Sequence, residues 1–293
     1  MSTDRQRGII VPHRPAWVPE EVDIERPSVA RMYDFFLGGS HNFAADRTLA
    51  EQALKVFPDA PFVVRANRAF LYRAVRFLSS AGIDQFLDLG SGIPTAGSVH
   101  EIALAANADS KTVYVDADPV AFAHARALLE GFAQVSVLHA DLRDPATVLQ
   151  AAESAGLDFA RPVAVLLVSV LPFVPDEDDP ARIVAAYHEA TVPGSYLAIS
   201  HGTNDYRPEV VGEIEGVYTR TTQPGVFRSR VQVEALMRGY ELVQPGLVDV
   251  INWRPDPEAA PDPLGGDVKR YSLYAAVGLR AQVMTSNGVI ASH

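Results

Sequence analysis

Cysteine is absent from this chain of 293 residues, which excludes a disulfide framework and thiolate chemistry. Long apolar runs are also absent, because the longest, residues 162–175, is too short to span a bilayer and predicts a buried strand. The first fifteen or so residues lack the continuous apolar core of a signal peptide. These absences predict a cytoplasmic protein without a membrane partner.

Positive charge is scarce, since the net charge is −11, and this disfavours general binding to nucleic-acid phosphates. The arginines at 65, 68, 73 and 76 alternate with apolar residues at helical spacing, which predicts an amphipathic helix with a solvated basic face. No acidic or histidine cluster has metal-ligand spacing, and residues 176–179 predict a solvated loop and helix start. We therefore expect a small-molecule partner, no nucleic acid and no metal, with monomer and homodimer both open.

Three regions follow from the pattern of the chain. Residues 1–80 combine a proline-containing arm with three helices and predict a lid packed on the main domain. Residues 81–280 alternate short β-branched runs with alanine-rich helical stretches, which is typical of an α/β fold with a mostly parallel sheet. Residues 281–293 form a tail without periodicity.

The sheet is predicted to have seven strands. Five parallel strands are expected, and two later runs, residues 240–253 and 271–280, predict a terminal antiparallel pair. The parallel strands are placed near 85–89, 112–116, 135–138, 163–170 and 195–200. Helices are placed near 95–107, 119–131, 144–155, 180–191 and 230–238.

A glycine turn follows the first of these strands, in the segment FLDLGSGIPT. The strand carries Asp88, and Gly90 and Gly92 then allow the backbone to approach a ligand closely. The next strand ends in Asp116, at the spacing from which a carboxylate reaches a ribose held over the turn. Pro94 and its neighbours stand where a dinucleotide fingerprint has its third glycine, which bears on the nucleoside bound.

A further acidic position follows the third strand. Asp141 could accept from an exocyclic amine while the Leu142 backbone N–H donates to a ring nitrogen, which would read adenine. Each feature alone has an ordinary explanation, because a glycine pair also makes turns and an aspartate also caps helices. Their order and spacing along successive strands predict a nucleoside site.

Long segments of the chain resemble the actinobacterial S-adenosyl methyltransferase family, within the class I S-adenosylmethionine-dependent methyltransferases. The resemblance covers nearly everything after residue 25 and implies a Rossmann-like sheet with an N-terminal helical lid. It is carried by RPSVARMYDFFLGGSHNFAADR (26–47), ANRAFLYRAVRFL (66–78), FLDLGSGIPTAGSVHE (86–101), VYVDADPVAFAHARALL (113–129), ADLRDP (140–145) and FVPDEDDP (173–180).

The resemblance implies that the glycine turn lies beside the methionine part of S-adenosylmethionine, that Asp116 holds the ribose, and that Asp141 reads adenine. Pro94 is typical of this family and counts against a dinucleotide cofactor. Pro172 departs from the pattern, since family members often carry histidine there. The expected cofactor contacts are Asp88, Gly90, Ser91, Gly92, Pro94, Thr95, Asp116, Ala117, Asp141, Leu142, Ser169, Tyr33, Gly38 and Asn42.

Two regions supply candidate lid and catalytic residues. Tyr33 or Asn42 could donate to the methionine carboxylate, with Gly38 letting the backbone close, although a helix stop beside a core tyrosine explains the same residues. His201 follows the fifth strand and is a candidate base for proton removal, as is Tyr33, although that position favours a structural histidine over a catalytic one.

The predicted function is methyl transfer from S-adenosylmethionine to O or N of a small molecule, such as a specialised metabolite. Residues 203–230 are expected to border the acceptor, which would carry an aromatic or carboxylate feature. A non-catalytic sensor or interaction protein that binds S-adenosylmethionine or S-adenosylhomocysteine is the alternative, and Pro172 favours it. A nicotinamide-dependent oxidoreductase is disfavoured by Pro94.

Overall fold

The computed structural model describes residues 23–94 and 97–282, which form one mixed sheet flanked by helices. The strands are β1 (Gln85–Leu89), β2 (Lys111–Asp116), β3 (Val135–His139), β4 (Ala164–Val168), β5 (Tyr196–Gly202), β6 (Glu241–Leu242), β7 (Val248–Asp249) and β8 (Leu273–Leu279). The helices are α1 (Val29–Leu37), α2 (Ala44–Val56), α3 (Ala60–Ser80), α4 (Val99–Ala106), α5 (Pro119–Leu128), α6 (Pro145–Ser154), α7 (Pro180–Ala190), α8 (Pro208–Tyr218), α9 (Arg230–Leu236) and α10 (Val268–Tyr271).

The sheet has the order β3-β2-β1-β4-β5-β8-β6, with β7 also paired to β8. Strands β1 to β5 are parallel and β8 is antiparallel to β5. The chain therefore moves outward in one direction from β1 and in the other from β4. Ligands of such sheets bind beyond the carboxyl ends of the strands where this direction changes. We call that side, where β1 to β5 end, the carboxyl edge.

Alternate side chains of the parallel strands enter two separate layers of core. Leu87 and Val113 pack into one layer, with residues of α6, α7 and α9. Phe86 and Tyr114 enter the other, with residues of α3, α4 and α5. Because both faces of the sheet are covered, its strands are rich in apolar residues, as is typical of a parallel sheet.

The described residues form eight strands, where seven were predicted. The run at 240–253 is broken at Pro245, which has no N–H to donate to a neighbouring strand. The chain turns there, with Gly246 at φ +89° and its N–H donating to the Val243 carbonyl at 2.8 Å. Strands β6 and β7 thus pair with the same edge of β8 and together occupy the seventh position.

Three helices differ from the prediction, and one of them is the short helix α10, which was not predicted. Helix α4 begins at Val99, four residues later than expected, because Glu101 accepts from the Gly97 and Ser98 N–H groups and fixes the helix start there. Helix α8 was missed, although Pro208 at its first position is a typical helix start. The remaining parallel strands and helices agree with the prediction to within a few residues.

The N-terminal helices pack on the sheet domain beside the carboxyl edge. Helix α1 ends as predicted at Gly38, which has φ +84°. The Ser28 hydroxyl donates to Asp118, whose carboxylate also caps α5 by accepting from the Val120 and Ala121 N–H groups. Arg31 forms a buried ion pair with Asp46 at 2.9 Å. The Ser28 contact ties the start of α1 to the loop that follows β2, and the Arg31 ion pair ties α1 to α2.

No helix within the described ranges is both long and apolar enough to cross a membrane.

Candidate active site

A cavity of about 1150 Å³, including its open mouth, lies at the carboxyl edge and is called the first cavity. It is bounded by the ends of β1 to β4 on one side and by α1 and α3 on the other. Its lining residues are Val29, Ala30, Tyr33, Asp34, Leu37, Asn67, Arg68, Leu71, Asp88, Gly90, Ser91, Gly92, Ile93, Val115, Asp116, Ala117, Asp118, Ala140, Asp141, Leu142, Arg143, Val168, Ser169, Val170, Phe173, Val174 and Gln223.

This cavity brings together most of the cofactor residues expected from the sequence. Gly38, Asn42 and Pro94 do not line it. Thr95 lies outside the described residues. The expected residues that do line it are Tyr33, Asp88, Gly90, Ser91, Gly92, Asp116, Ala117, Asp141, Leu142 and Ser169.

The glycine turn after β1 needs glycine at two positions for different reasons. Gly90 has φ +69°, and a Cβ there would stand 2.2 Å from Cγ2 of Val170. Gly92 has φ +62°, but a Cβ there would meet no atom within 4 Å. Gly90 thus lets β1 pack against the β4 loop, whereas Gly92 leaves open space beside the backbone.

Asp116 links the glycine turn to the start of α5. Its Oδ2 accepts from the Gly92 N–H at 2.7 Å and its Oδ1 accepts from the Asp118 N–H at 2.8 Å. Burial raises the pKa of Asp116 to about 6, although both N–H donors favour the ionised form. A carboxylate at this place can accept further hydrogen bonds from a ligand's hydroxyl groups.

Asp88 is a buried carboxylate that receives no hydrogen bond from any described residue, although it is only 6% exposed and lines the first cavity. Burial raises the pKa of Asp88 to about 7, against the opposing charge of Arg68. A buried polar group without a partner is costly. Asp88 is therefore suited to a cationic or hydrogen-bond-donating group of a ligand.

Asp141 and Leu142 present different groups at the end of β3. The Arg143 guanidinium contacts the Asp141 carboxylate at 2.6 Å and the Asp178 carboxylate at 2.9 Å. Burial alone would raise the pKa of Asp141, but the Arg143 hydrogen bonds lower it below its ordinary value. The Leu142 N–H donates to none of the described residues and is available to a ligand acceptor.

The lid residues expected from the sequence separate into two groups. Tyr33 lines the cavity, donates to the Val64 carbonyl at 3.1 Å and accepts from the Asn67 amide at 3.0 Å. Asn42 instead donates to Asp34 Oδ2 at 2.9 Å and to the Gly39 carbonyl at 3.0 Å. The geometry therefore does not support direct donation from Asn42 to a ligand in the cavity, because its amide holds the turn after α1.

His201 is wrongly placed for the predicted role of catalytic base. Its ring is fully buried, with Nδ1 2.7 Å from the Gly202 carbonyl and Nε2 3.0 Å from Nη1 of Arg228. Arginine can only donate, so Nε2 accepts and the ring proton stays on Nδ1. Burial, together with the Arg228 charge, lowers the pKa of His201 to about 3. Its lone pair is occupied, and the histidine is structural.

We expect His201 to make the protein less stable in mild acid. In the unfolded chain the imidazole binds a proton below its ordinary pKa of about 6.5, whereas the pKa of about 3 keeps the buried ring neutral until far lower pH. The free energy of unfolding therefore decreases as the pH is lowered from about 6.5 to about 3. Between pH 7.5 and pH 5 this costs about 2 kcal/mol. Chemical denaturation at both pH values should show this loss in the wild type relative to His201→Gln. An equal pH dependence of the two proteins would contradict a buried neutral ring.

Sequence reasoning missed the functional position of two residues on α3. Arg68 was assigned to a solvated basic face, which is correct for the exposed Arg65 and Arg76. Arg68 instead lines the first cavity, where its charge opposes the raised pKa of Asp88. Asn67 is buried there, and its Oδ1 accepts from the Ser200 hydroxyl at 2.6 Å. The sequence carries no signal for this position, because helical spacing does not show that this face of α3 lies beside the site.

A second cavity of about 870 Å³, including its open mouth, adjoins the first. The two share the wall residues Val29, Tyr33, Ser169 and Phe173. Helix α8 and the segment after it form much of the far side, so part of the segment 203–230 lines this cavity. The other lining residues are Phe36, Ala53, Phe57, Ala60, Val63, Val64, Pro172, Gly202, Arg207, Val210, Val211, Ile214, Tyr218, Phe227, Tyr271, Ser272 and Leu273.

A family model and two solved structures assign the chain to the same family. The model of a family described as S-adenosyl methyltransferase matches residues 15–281. A DUF574 family protein of Streptomyces avermitilis is 38% identical, with a TM-score of 0.83, over 88% of this chain and 99% of that chain. A proposed methyltransferase of Thermobifida fusca is also 38% identical with a TM-score of 0.83, over 91% of this chain and 100% of that chain.

More distant structures resemble the chain in fold alone. An O-methyltransferase family protein of Burkholderia thailandensis is 13% identical, with a TM-score of 0.50, over 88% of this chain and 65% of that chain. No curated protein sequence matches the chain at a significant level.

Proposed function

The chain belongs to the S-adenosyl methyltransferase family and is an S-adenosylmethionine-dependent methyltransferase, and from that premise we propose that it methylates O or N of a small molecule. The observation that carries this proposal is the contact between the two cavities across a shared wall that includes Tyr33 and Ser169. In the proposal the first cavity holds the cofactor and the second holds the acceptor.

The chemistry of the first cavity fits the adenosine part of the cofactor. Asp116 would accept from the ribose hydroxyls while it fixes the Gly92 turn through its bond to that N–H. Arg143 donates to both carboxylate oxygens of Asp141, so Asp141 would accept from the adenine amine in exchange for part of that contact. The Leu142 N–H would donate to a ring nitrogen. Ser91 and Ala117 lie beside these groups in the proposed site.

The other end of the first cavity fits the methionine part. Asp88, a buried carboxylate without a hydrogen bond from the described residues, would bind the ammonium group. Arg68, on the facing helix, would bind the carboxylate and restore the balance of charge. When bound, S-adenosylmethionine supplies an electrophilic methyl group on a sulfonium.

The walls of the second cavity would position the acceptor and exclude water. The described lining residues include no carboxylate and no histidine, and His201 is occupied by Arg228. Tyr33 is a poor base, because burial raises the pKa of its phenol. We infer that the acceptor reacts as a neutral amine or as a hydroxyl acidic enough to ionise in solution.

The proposal predicts that the protein labels small molecules. S-Adenosylmethionine with a deuterated methyl group, incubated with the protein and a metabolite extract, should yield small molecules that are heavier by one labelled methyl group. Asp116→Ala should abolish this labelling, whereas Asp109→Ala, at an exposed position before the start of β2, should retain it. Label found only in protein or nucleic acid would contradict the proposed acceptor class, and cofactor binding without any labelled product would indicate a sensor.

A further inference from the structure

The second cavity has an apolar wall with a single charge. Aromatic side chains contribute on several sides, including Phe57, Phe173 and Phe227. Phe227 packs so closely on β5 that a Cβ at Gly202 would stand 2.2 Å from its ring. Among the lining residues that the structure describes, only Arg207 carries a formal charge at neutral pH. Any ligand in this cavity therefore meets aromatic faces and one guanidinium.

The hydrogen-bonding capacity of Arg207 is not exhausted by its contacts. Its Nη2 donates to the Arg270 carbonyl at 2.8 Å, and its guanidinium lies over the Phe57 ring at 5.0 Å from the ring centre. Its Nε is buried and has no hydrogen-bond partner within the described part of the chain. Its Nη1 donates to none of the described residues and lies beyond hydrogen-bond distance of the nearest carboxylate. A charged donor without an acceptor is costly when it is buried, so Nη1 is suited to an acceptor on a ligand.

The carboxylate nearest to Arg207 is bound by another arginine. Asp59 is the facing carboxylate, and it is 3.8 Å from Nη1 of Arg207, beyond hydrogen-bond distance. The same carboxylate accepts two hydrogen bonds from Arg270, at 2.5 and 2.9 Å. Arg270 thus holds this carboxylate, and Asp262 and Asp267 also act on Arg270. Arg207 is left without a carboxylate within hydrogen-bond distance among the described residues. The start of α8, which Arg207 precedes, adds the positive end of a helix dipole.

We propose that the second cavity binds an acceptor with a flat aromatic body and an anionic group, such as a carboxylate, that accepts from Arg207. This inference rests on the proposed function, because it names the substrate class of the same site. The aromatic body would pack against the phenylalanine rings, and the anion at Arg207 would fix its orientation. The O or N to be methylated would then lie toward the wall shared with the first cavity, beside Tyr33 and Ser169.

A matched pair of fluorescent probes tests the anion site without requiring turnover. 8-Anilinonaphthalene-1-sulfonate is an aromatic anion, and N-phenyl-1-naphthylamine is the same aromatic body without the charge. With S-adenosylhomocysteine at saturation, Arg207→Gln should weaken binding of the sulfonate about tenfold or more, the loss typical of a charge-assisted hydrogen bond. Binding of the uncharged probe should change less than about twofold.

Three further variants separate the site from general effects. Arg207→Lys keeps the charge and should retain part of the preference for the sulfonate. Val210→Phe, on the wall of the cavity, should weaken binding of both probes, whereas Arg220→Gln, at an exposed position outside it, should change neither. Equal losses for both probes in Arg207→Gln, or no loss for the sulfonate, would overturn the proposal. Binding of S-adenosylhomocysteine to the wild-type protein is measured separately by calorimetry. Absence of that binding would contradict the proposed function and not the anion site.

Discussion

Asp116→Ala is expected to weaken binding of S-adenosylhomocysteine about 100-fold or more. The substitution removes the proposed acceptor of both ribose hydroxyls, and each hydrogen bond to a charged group contributes about 1.5–3 kcal/mol. It also leaves the Gly92 and Asp118 N–H groups without their acceptor, so the glycine turn loses its fixed position. Isothermal titration calorimetry measures the loss, with Asp109→Ala as the matched aspartate outside the site.

The pH dependence of the same titration identifies the charged form that binds. With the pKa of Asp116 near 6, the free protein carries a proton there at pH 5, and binding has to displace it. Affinity should therefore fall about tenfold or more between pH 8 and pH 5, and protonation of Asp88 adds to the fall. Asp116→Asn should lose the Asp116 part of this dependence. An affinity that is independent of pH in the wild type would contradict these assignments.

Gly90→Ala is expected to destabilise the protein by about 2–5 kcal/mol, because two separate costs combine. An alanine at φ +69° costs about 1–2 kcal/mol, and its Cβ would overlap Cγ2 and Cβ of Val170, at 2.2 and 2.7 Å. Gly92→Ala has the backbone cost alone, about 1–2 kcal/mol, since no atom lies within 4 Å of its Cβ. Chemical denaturation of the two variants compares them directly.

A second substitution separates the clash from the backbone strain. Val170→Ala removes the nearer of the two overlapping carbons, so the double variant should recover part of the stability that Gly90→Ala loses. Two results would contradict the requirement for close packing between the glycine turn and the β4 loop. One is an equal loss of unfolding free energy in Gly90→Ala and Gly92→Ala, and the other is no recovery of stability when Val170→Ala is added to Gly90→Ala.

The parts of the site that could be predicted from sequence are those fixed by strand order. Asp88, Asp116 and Asp141 lie in or directly after apolar runs, and parallel strands end at the same edge, so their proximity follows from the fold class. The turn at Gly90 and Gly92 was identified for the same reason. The number of strand positions was also predictable, although the break at Pro245 divides the last of them.

Residues placed by packing between distant segments could not be predicted. His201 lies at a strand end like the aspartates, yet Arg228, from a loop 27 residues later, occupies its Nε2. Helical spacing distinguishes the faces of α3 but does not show that the face bearing Arg68 lies over the site. Arg207 precedes a helix that was missed, so its place in the second cavity became apparent only from the structure.

A crystal structure of the complex with S-adenosylhomocysteine tests the assignment of the two cavities most directly. The account predicts ribose hydroxyls within about 3.2 Å of the Asp116 carboxylate, adenine beside Asp141 and Leu142, and the sulfur facing the wall formed by Tyr33 and Ser169. Adenosine bound in the second cavity, or a sulfur facing away from that wall, would contradict it.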